Sequence, residues 1–153
     1  MIYYSEEIGK NELTETLIQK LIETAAEQLR FSYTPYSHFK VGAALLAADG
    51  TIYTGCNIEN AAYTPTNCAE RTAMFKAVSE GNTDFRAIAI VGGPKGKEPK
   101  DFCAPCGICR QVMAEFCDPE TFRIVLMNGD GEIRDYLLKE LLPLGFTGKA
   151  LEK

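Results

Sequence analysis

Six cysteines in a chain of 153 residues are the feature that most limits what this sequence can form. The N-terminal residues lack a basic segment followed by an apolar run, so no signal peptide is predicted, and no stretch is apolar enough to span a membrane. We therefore expect a cytoplasmic protein. In that reducing environment, clustered cysteines indicate metal binding or redox chemistry rather than disulfides. Cys56 and Cys117 lie apart from the others and are expected to be small buried thiols.

The remaining four cysteines have the spacing of a metal site. Cys106 and Cys109 form a Cys-x-x-Cys pair at a predicted helix start, where the helix dipole and free N–H groups stabilise thiolates. With Cys68 at the start of another predicted helix, they would form a three-thiolate zinc site with one position open for water. Spacing alone leaves two alternatives open. Cys103 could complete a closed, structural four-thiolate site, or a Cys-x-x-Cys pair could serve redox chemistry.

Two charged residues follow Cys68 directly in the same predicted helix. Glu70 can converge with Cys68 only if the site lies beyond the helix end, because residues two apart do not share a helix face. Alternatively, Glu70 forms a capping box with the N–H of Asn67, and the local sequence does not decide between the two. Arg71 can lie beside the Cys68 sulfur and offset thiolate charge, or it can be a surface residue.

The first part of the chain predicts a helix followed by a hairpin. Apolar residues at helical spacing predict an amphipathic helix over 13–29, with Asn11 as a plausible N-cap. Two strand-like runs at 40–47 and 51–56 flank Asp49-Gly50 and predict a β-hairpin. The small residues 42–44 predict that a helix packs closely over the first strand.

The rest of the chain alternates between helices and strands. The pattern predicts a helix over 68–80, a strand over 86–91, a loop over 92–102, a helix over 106–116, strands over 122–127 and 132–136, and a short helix over 137–142. Together with the first three elements, this order predicts an α/β fold: a three-layer α/β/α sandwich with a mixed five-stranded sheet. The length fits a single domain over residues 1–153.

Four segments together point to a known family: Tyr36–Leu45, Gly55–Tyr63, Asn67–Ala73 and Pro105–Gln111. They resemble the cytidine deaminase family, specifically its small homotetrameric, zinc-dependent branch. The resemblance covers nearly the whole chain and includes the zinc deaminase signature of a ligand, a Glu two residues later, and Pro-Cys-x-x-Cys. It implies a cytidine deaminase-like fold.

The resemblance also implies the chemistry. One zinc ion per subunit would be held by Cys68, Cys106 and Cys109. Glu70 would shuttle protons without binding the metal, so that cytidine and deoxycytidine are hydrolysed to uridine and deoxyuridine with release of ammonia, a step of pyrimidine salvage. Gln111 would lie near the thiolates and support them, as would Arg71.

Substrate contacts follow from the same resemblance. Asn57 and Glu59 are two residues apart at the end of a strand, so their side chains share a face, and the family implies that they bind the ribose, mainly its 3′-hydroxyl. The aromatic ring of Phe39 would pack against the pyrimidine, and the backbone at Ala69 would contact the base edge. Phe146 would reach the active site of a neighbouring subunit in a homotetramer with shared sites.

Charge separates the main function from its alternatives. The formal net charge of −5 disfavours a nucleic-acid partner, which would need a basic surface, and no membrane partner is expected. Two deaminases of the same fold remain as alternatives, one acting on a modified nucleoside and one on single-stranded nucleic acid.

Overall fold

The part of the chain that the structure describes forms four α-helices and five β-strands in the predicted order. In the computed structural model, which describes residues 12–152, the elements are α1 (Glu15–Glu27), β1 (Phe39–Ala47), β2 (Ile52–Cys56), α2 (Ala69–Ser79), β3 (Phe85–Pro94), α3 (Gly107–Phe116), β4 (Arg123–Met127), β5 (Ile133–Leu137) and α4 (Leu138–Leu141). Short 3₁₀ helices at Gln28–Phe31 and Gly148–Leu151 were not predicted. No helix in the described range is long and apolar enough to cross a membrane.

The first helix begins later than its sequence pattern predicted. Thr14 is the N-cap of α1, because its side chain accepts a hydrogen bond from the Leu17 N–H at 3.2 Å. The predicted cap, Asn11, lies outside the described residues. The helix ends at Glu27 because the following residues tighten into the 3₁₀ turn of Gln28–Phe31.

The five strands form one mixed sheet in the order β2-β1-β3-β4-β5. The pairs β1–β2, β1–β3 and β4–β5 are antiparallel, whereas β3 and β4 are parallel. One hydrophobic core lies between the sheet and α1, and a second lies between the sheet and the pair α2 and α3. This arrangement confirms the predicted three-layer α/β/α sandwich with a mixed five-stranded sheet.

Small residues on β1 allow α1 to lie directly on the strand, as predicted. A Cβ added to Gly42 would stand 2.0 Å from the backbone oxygen of Ala25 on α1. Only a residue without a side chain permits this approach.

The strand β3 extends three residues beyond its predicted end. Residues 92–94 were predicted as the start of a loop, but Gly92 pairs with Val41 and Pro94 pairs with Phe39 at the beginning of β1. The glycines are required because Cys103 and Pro99 occupy the space next to them. The extension pairs the start of β1 with the end of β3 beside Cys103.

Candidate active site

Two helix starts bring the cysteines together. Cys68 is the N-cap residue of α2 and Cys106 is the N-cap residue of α3, and neither side chain makes a capping hydrogen bond. Cys109 lies in the first turn of α3 and is buried. The positive ends of both helices therefore point at the same group of sulfurs, which favours thiolates there.

The sulfur geometry fits one tetrahedral ion. The ligand atoms of Cys68, Cys106 and Cys109 all lie within 4.8 Å of one another. The Sγ atoms of Cys68 and Cys106 are 3.8 Å apart, and a tetrahedral zinc with Zn–S bonds of about 2.3 Å requires a separation of about 3.8 Å. A three-thiolate set leaves the fourth position free, as catalysis requires.

Cys103 does not belong to this group. Among the described residues, the group able to hold one ion contains only Cys68, Cys106 and Cys109. The Cys103 thiol instead lies against Gly92, where an added Cβ would come 2.7 Å from its Sγ. Burial raises the pKa of Cys103 to about 12, so it stays a neutral thiol. The closed four-thiolate alternative lacks its fourth ligand.

The other two cysteines differ from each other. Cys117 is buried, as predicted, whereas Cys56 is only half-buried on the edge strand β2. All six cysteines are free thiols. No disulfide joins any of them, so the structure gives no support to the redox alternative.

The thiols are electrostatically linked. The hydrogen bond with Cys109 and the nearby Arg71 guanidinium lower the pKa of Cys68 to about 5. The pKa of Cys109 is raised, first by its hydrogen bond with Cys68 and then by burial. Such a pair loses one proton readily and the next reluctantly, and metal binding releases both.

Glu70 points at the cysteine cluster. Its side chain is buried, and the Cys109 thiol donates to its Oε2 at 3.5 Å. Burial raises the pKa of Glu70, and the negative charge of Cys68 raises it further. The capping box does not form, because Cys68 is the N-cap and the N–H of Asn67 donates to Ile58 instead. A buried carboxyl with a raised pKa beside a metal site suits proton transfer.

Arg71 also faces the cluster rather than the surface. Its Nη2 donates to the Cys68 sulfur at 3.3 Å. Its buried Nε has no hydrogen-bond partner within residues 12–152. A guanidinium held against Cys68 and Cys109 fits a site with a net negative charge, and three thiolates with Zn²⁺ carry such a charge.

Asn57 and Glu59, two of the predicted substrate residues, flank Ile58, which pairs with Asn67 directly before Cys68. The carboxamide of Asn57 accepts from the Val41 N–H at 2.9 Å and donates to the Phe39 carbonyl at 2.8 Å. One carboxylate oxygen of Glu59 accepts from the N–H groups of Tyr36 and Ser37 at 3.1 and 3.2 Å. Hydrogen bonds from Ser37 lower the pKa of Glu59. Asn57 is therefore held by the first residues of β1, and Glu59 by the segment that precedes the strand.

The remaining predicted site residues are more scattered. Ala69 is fully buried at the start of α2. The side chain of Gln111 donates to the Phe146 carbonyl at 2.8 Å, and no hydrogen bond joins it to a thiolate in the part of the chain described. The Phe146 side chain is 60% exposed. Gln111 thus ties the tail to α3 and leaves the ring of Phe146 free for other contacts.

Sequence reasoning did not find the residues that fix the two ligand segments. The Asn67 carboxamide donates to the Thr72 hydroxyl, which donates to the Cys68 carbonyl, each at 3.1 Å. On α3, Arg110 binds the carbonyl of Pro105 at 2.8 Å, just before Cys106. An Asn five residues before a Thr has no recognised signature, so only the folded chain reveals this link.

Known proteins share both the sequence and the fold. The family model described as "Cytidine and deoxycytidylate deaminase zinc-binding region" matches residues 15–125. A cytidine deaminase of Sporosarcina psychrophila is 50% identical over 134 residues, which cover 88% of this chain and 94% of that protein. A blasticidin-S deaminase of Bacillus cereus is 34% identical over 131 residues, which cover 84% of this chain and 91% of that protein.

A solved structure is also similar in fold and sequence. The crystal structure of cytidine deaminase from Burkholderia pseudomallei superposes with a TM-score of 0.76 at 47% identity, covering 88% of this chain and 100% of that one. With the sulfur cluster and the buried carboxyl in place, these similarities lead to one conclusion: the chain belongs to the zinc-dependent cytidine and deoxycytidylate deaminase family.

Proposed function

We propose that this protein hydrolyses cytidine and deoxycytidine to uridine and deoxyuridine, with release of ammonia. One observation carries the proposal: Glu70 is buried against a three-thiolate cluster that can hold one ion with a position left open. The relatives named cytidine deaminase support the choice of substrate. We propose that the activity resides in one domain over residues 1–153, with one zinc ion per subunit.

The division of labour follows from the site. Cys68, Cys106 and Cys109 would hold Zn²⁺, which acts as a Lewis acid and lowers the pKa of water at its open position. Glu70 accepts one proton from the attacking water and delivers it to N3 of the base. It then accepts the second proton from the new C4 hydroxyl, which becomes the carbonyl, and delivers it to the 4-amino group. The C4–O bond forms, the C4–N bond breaks, and the nitrogen leaves as ammonia. Burial raises the pKa of Glu70, which suits a carboxyl group that both accepts and returns protons.

Substrate would bind between the cluster and the start of β1. We propose that Asn57 and Glu59 hydrogen-bond the ribose, that Phe39 packs on the pyrimidine, and that the backbone at Ala69 contacts the base edge. Phe39 is 39% exposed, so part of the residue is accessible to a ligand. The 5′-hydroxyl side of a nucleoside needs no phosphate-binding group in this proposal, which agrees with the net charge of −5.

Assembly would complete the site. Four large side chains close to the proposed ribose contacts are exposed; they are Tyr33, Tyr36, Ile58 and Tyr63. Tyr36 and Tyr63 form an edge-to-face pair, and Ile58 lies between Asn57 and Glu59 in the chain. We propose that this apolar surface is covered in a homotetramer and that Phe146 reaches a neighbouring site. Analytical ultracentrifugation should then give the mass of four chains, whereas a monomer would contradict the assembly.

The location and physiological role follow from the same chemistry. Three free thiols are needed as ligands, and such thiols persist in a reducing compartment, which supports a cytoplasmic protein. Deamination of free nucleosides would place the enzyme in pyrimidine salvage.

The test is a direct assay. Purified protein mixed with cytidine or deoxycytidine should reduce the absorbance of the cytosine band and release ammonia at a matched rate. A zinc chelator should abolish the change, and added Zn²⁺ should restore it. Zinc-loaded protein that leaves both nucleosides intact would refute the proposal.

A second candidate is deamination of a modified nucleoside. The relative named blasticidin-S deaminase, at 34% identity, is the observation that favours it. The discriminating assay compares kcat/KM for cytidine and for blasticidin S with the same enzyme. A single-stranded nucleic acid is the least supported substrate because of the acidic charge, and a cytosine-containing oligonucleotide in the same assay tests it.

A further inference from the structure

The Asn57 side chain continues the β1–β2 ladder after the backbone ladder has ended. The last paired residues of β1 and β2 are Gly42 and Cys56, and Asn57 comes next. Its N–H donates to the Val41 carbonyl at 3.2 Å, and its Oδ1 accepts from the Val41 N–H at 2.9 Å. Its Nδ2 then donates to the Phe39 carbonyl at 2.8 Å. The carboxamide thus makes the hydrogen bonds to β1 that the backbone of a longer β2 would make.

The start of β1 depends on this support. Phe39 is the first residue of β1, and Pro94 opposite it on β3 has no N–H to donate. The preceding residue, His38, has a φ of 54°, a left-handed conformation that is unfavourable for a residue with a side chain. A strand that begins next to a strained residue, opposite a proline, is held in place by its remaining hydrogen bonds.

The position of Phe39 matters to the site. Phe39 and Val41 are two residues apart on β1, so their side chains lie on the same face of the sheet. Val41 packs against the core that contains Ala69 and Cys109, which places this face toward the metal cluster. The Phe39 ring also borders a cavity of about 190 Å³ that Cys103 lines. Fixing the backbone of Phe39 therefore fixes an aromatic wall of the base site.

We propose that Asn57 is a positioning residue that sets the Phe39 ring against the base, besides any ribose contact. The inference rests on the proposed function. A carboxamide offers two N–H donors and two acceptor lone pairs, and β1 uses one of each. The second N–H and lone pair remain available to the substrate, so one side chain serves both tasks.

The test separates positioning from ribose binding by removing the 3′-hydroxyl from the substrate. Asn57→Ala and Asn57→Asp are compared with the wild type on cytidine and 3′-deoxycytidine; the aspartate keeps the acceptor but loses the donor to Phe39. We expect both variants to lose about 10- to 100-fold in kcat/KM on both substrates, because the wall is displaced in either case. A loss confined to cytidine would mean that Asn57 only binds the hydroxyl and would overturn the proposal.

Glu59→Gln is the matched control, because it alters the other predicted ribose contact while retaining an oxygen for the Tyr36 and Ser37 N–H groups. Its loss should be confined to cytidine. In a Phe39→Leu background, adding Asn57→Ala should lower kcat/KM on 3′-deoxycytidine by less than about threefold, since a residue that acts through Phe39 has little left to position. Full additivity of the two losses would contradict the proposal.

Amide hydrogen exchange, which does not depend on activity, distinguishes failure of the positioning role from failure of the proposed function. In Asn57→Ala the Val41 amide should exchange with solvent at least about tenfold faster, whereas amides in the middle of β1 keep their protection. Unchanged exchange at Val41 would overturn the positioning role even in an active enzyme. A wild type inactive on cytidine would instead refute the proposed function and leave the exchange result standing.

Discussion

Replacing Cys103 with serine tests whether the zinc site is open. Cys103 has the correct sequence spacing to be a fourth ligand, yet its thiol lies against Gly92 and outside the group of three converging sulfurs. The structure therefore predicts that Cys103→Ser keeps its zinc, whereas Cys109→Ser loses it. A closed four-thiolate site would make the two variants behave alike.

The expected losses of zinc affinity differ widely between Cys109→Ser and Cys103→Ser. Structural zinc binding by thiolate-rich sites is worth about 10–16 kcal/mol, so the loss of one of three sulfur ligands should cost several kcal/mol, or about 10²- to 10⁴-fold in zinc affinity. For Cys103→Ser we expect a change below about threefold in affinity. Its cost should appear in folding instead, as about 1 kcal/mol in the free energy of unfolding, because a hydroxyl replaces a half-buried thiol.

The assay is competition for zinc against a chromophoric chelator, combined with urea unfolding of the metal-loaded proteins. Cys56→Ser is the matched control, since Cys56 is also a half-buried free thiol and lies outside the cluster. If Cys103→Ser lost more than about 100-fold in zinc affinity while Cys56→Ser lost none, the open-site reasoning would be refuted.

Three further predictions test the proton shuttle, the packing and the turn. Glu70→Gln should retain zinc and lose about 10²- to 10⁴-fold in kcat, and near-normal kcat with full metal content would exclude a proton-transfer role. Gly42→Ala should lower the free energy of unfolding by more than about 3 kcal/mol, measured by urea, because the new Cβ meets the Ala25 backbone; an unchanged midpoint would contradict the close approach of helix and strand. The hydrogen bond from the Thr51 N–H lowers the pKa of Asp49 below its ordinary value of 3.8. Because the group is exposed, its contribution to the free energy of unfolding should be below about 0.5 kcal/mol, present at about pH 7 and lost as the pH falls through the lowered pKa. The free energies of unfolding of wild type and Asp49→Ala should therefore converge at about pH 2, and a difference that persists there would contradict this origin.

The order of elements could be predicted because it depends on local patterns. The alternation of apolar residues, the Asp49-Gly50 turn and the small residues of β1 each act within a short window of sequence. The end of β3 could not, since Gly92, Gly93 and Pro94 have the composition of a loop. They form a strand because β1 lies beside them and because Pro99 and Cys103 occupy the space that side chains would need.

The site, like the end of β3, includes features that local sequence patterns do not predict. Spacing alone left a four-thiolate site with Cys103 and a redox pair open, and the family resemblance implied Cys68, Cys106 and Cys109 as the ligands. The structure brings those three together. Spacing also predicted that Asn57 and Glu59 would share a face, but not that backbone groups would already occupy part of each side chain. Those groups are more than a dozen residues away in sequence, and their position is set by the register of β1 on its neighbours.

The two helix starts show why the site and the fold depend on each other. A helix N-terminus is normally capped by Ser, Thr, Asp or Asn, and losing such a cap costs about 0.5–2 kcal/mol. Here both α2 and α3 begin at a cysteine that makes no capping hydrogen bond, and Glu70 could cap α2 but turns toward Cys109. Two local departures from the usual rule that meet at one point are typical of a functional site. Zinc bound by the three thiolates would offset the loss of both caps, because its binding energy of about 10–16 kcal/mol exceeds their combined cost several times over.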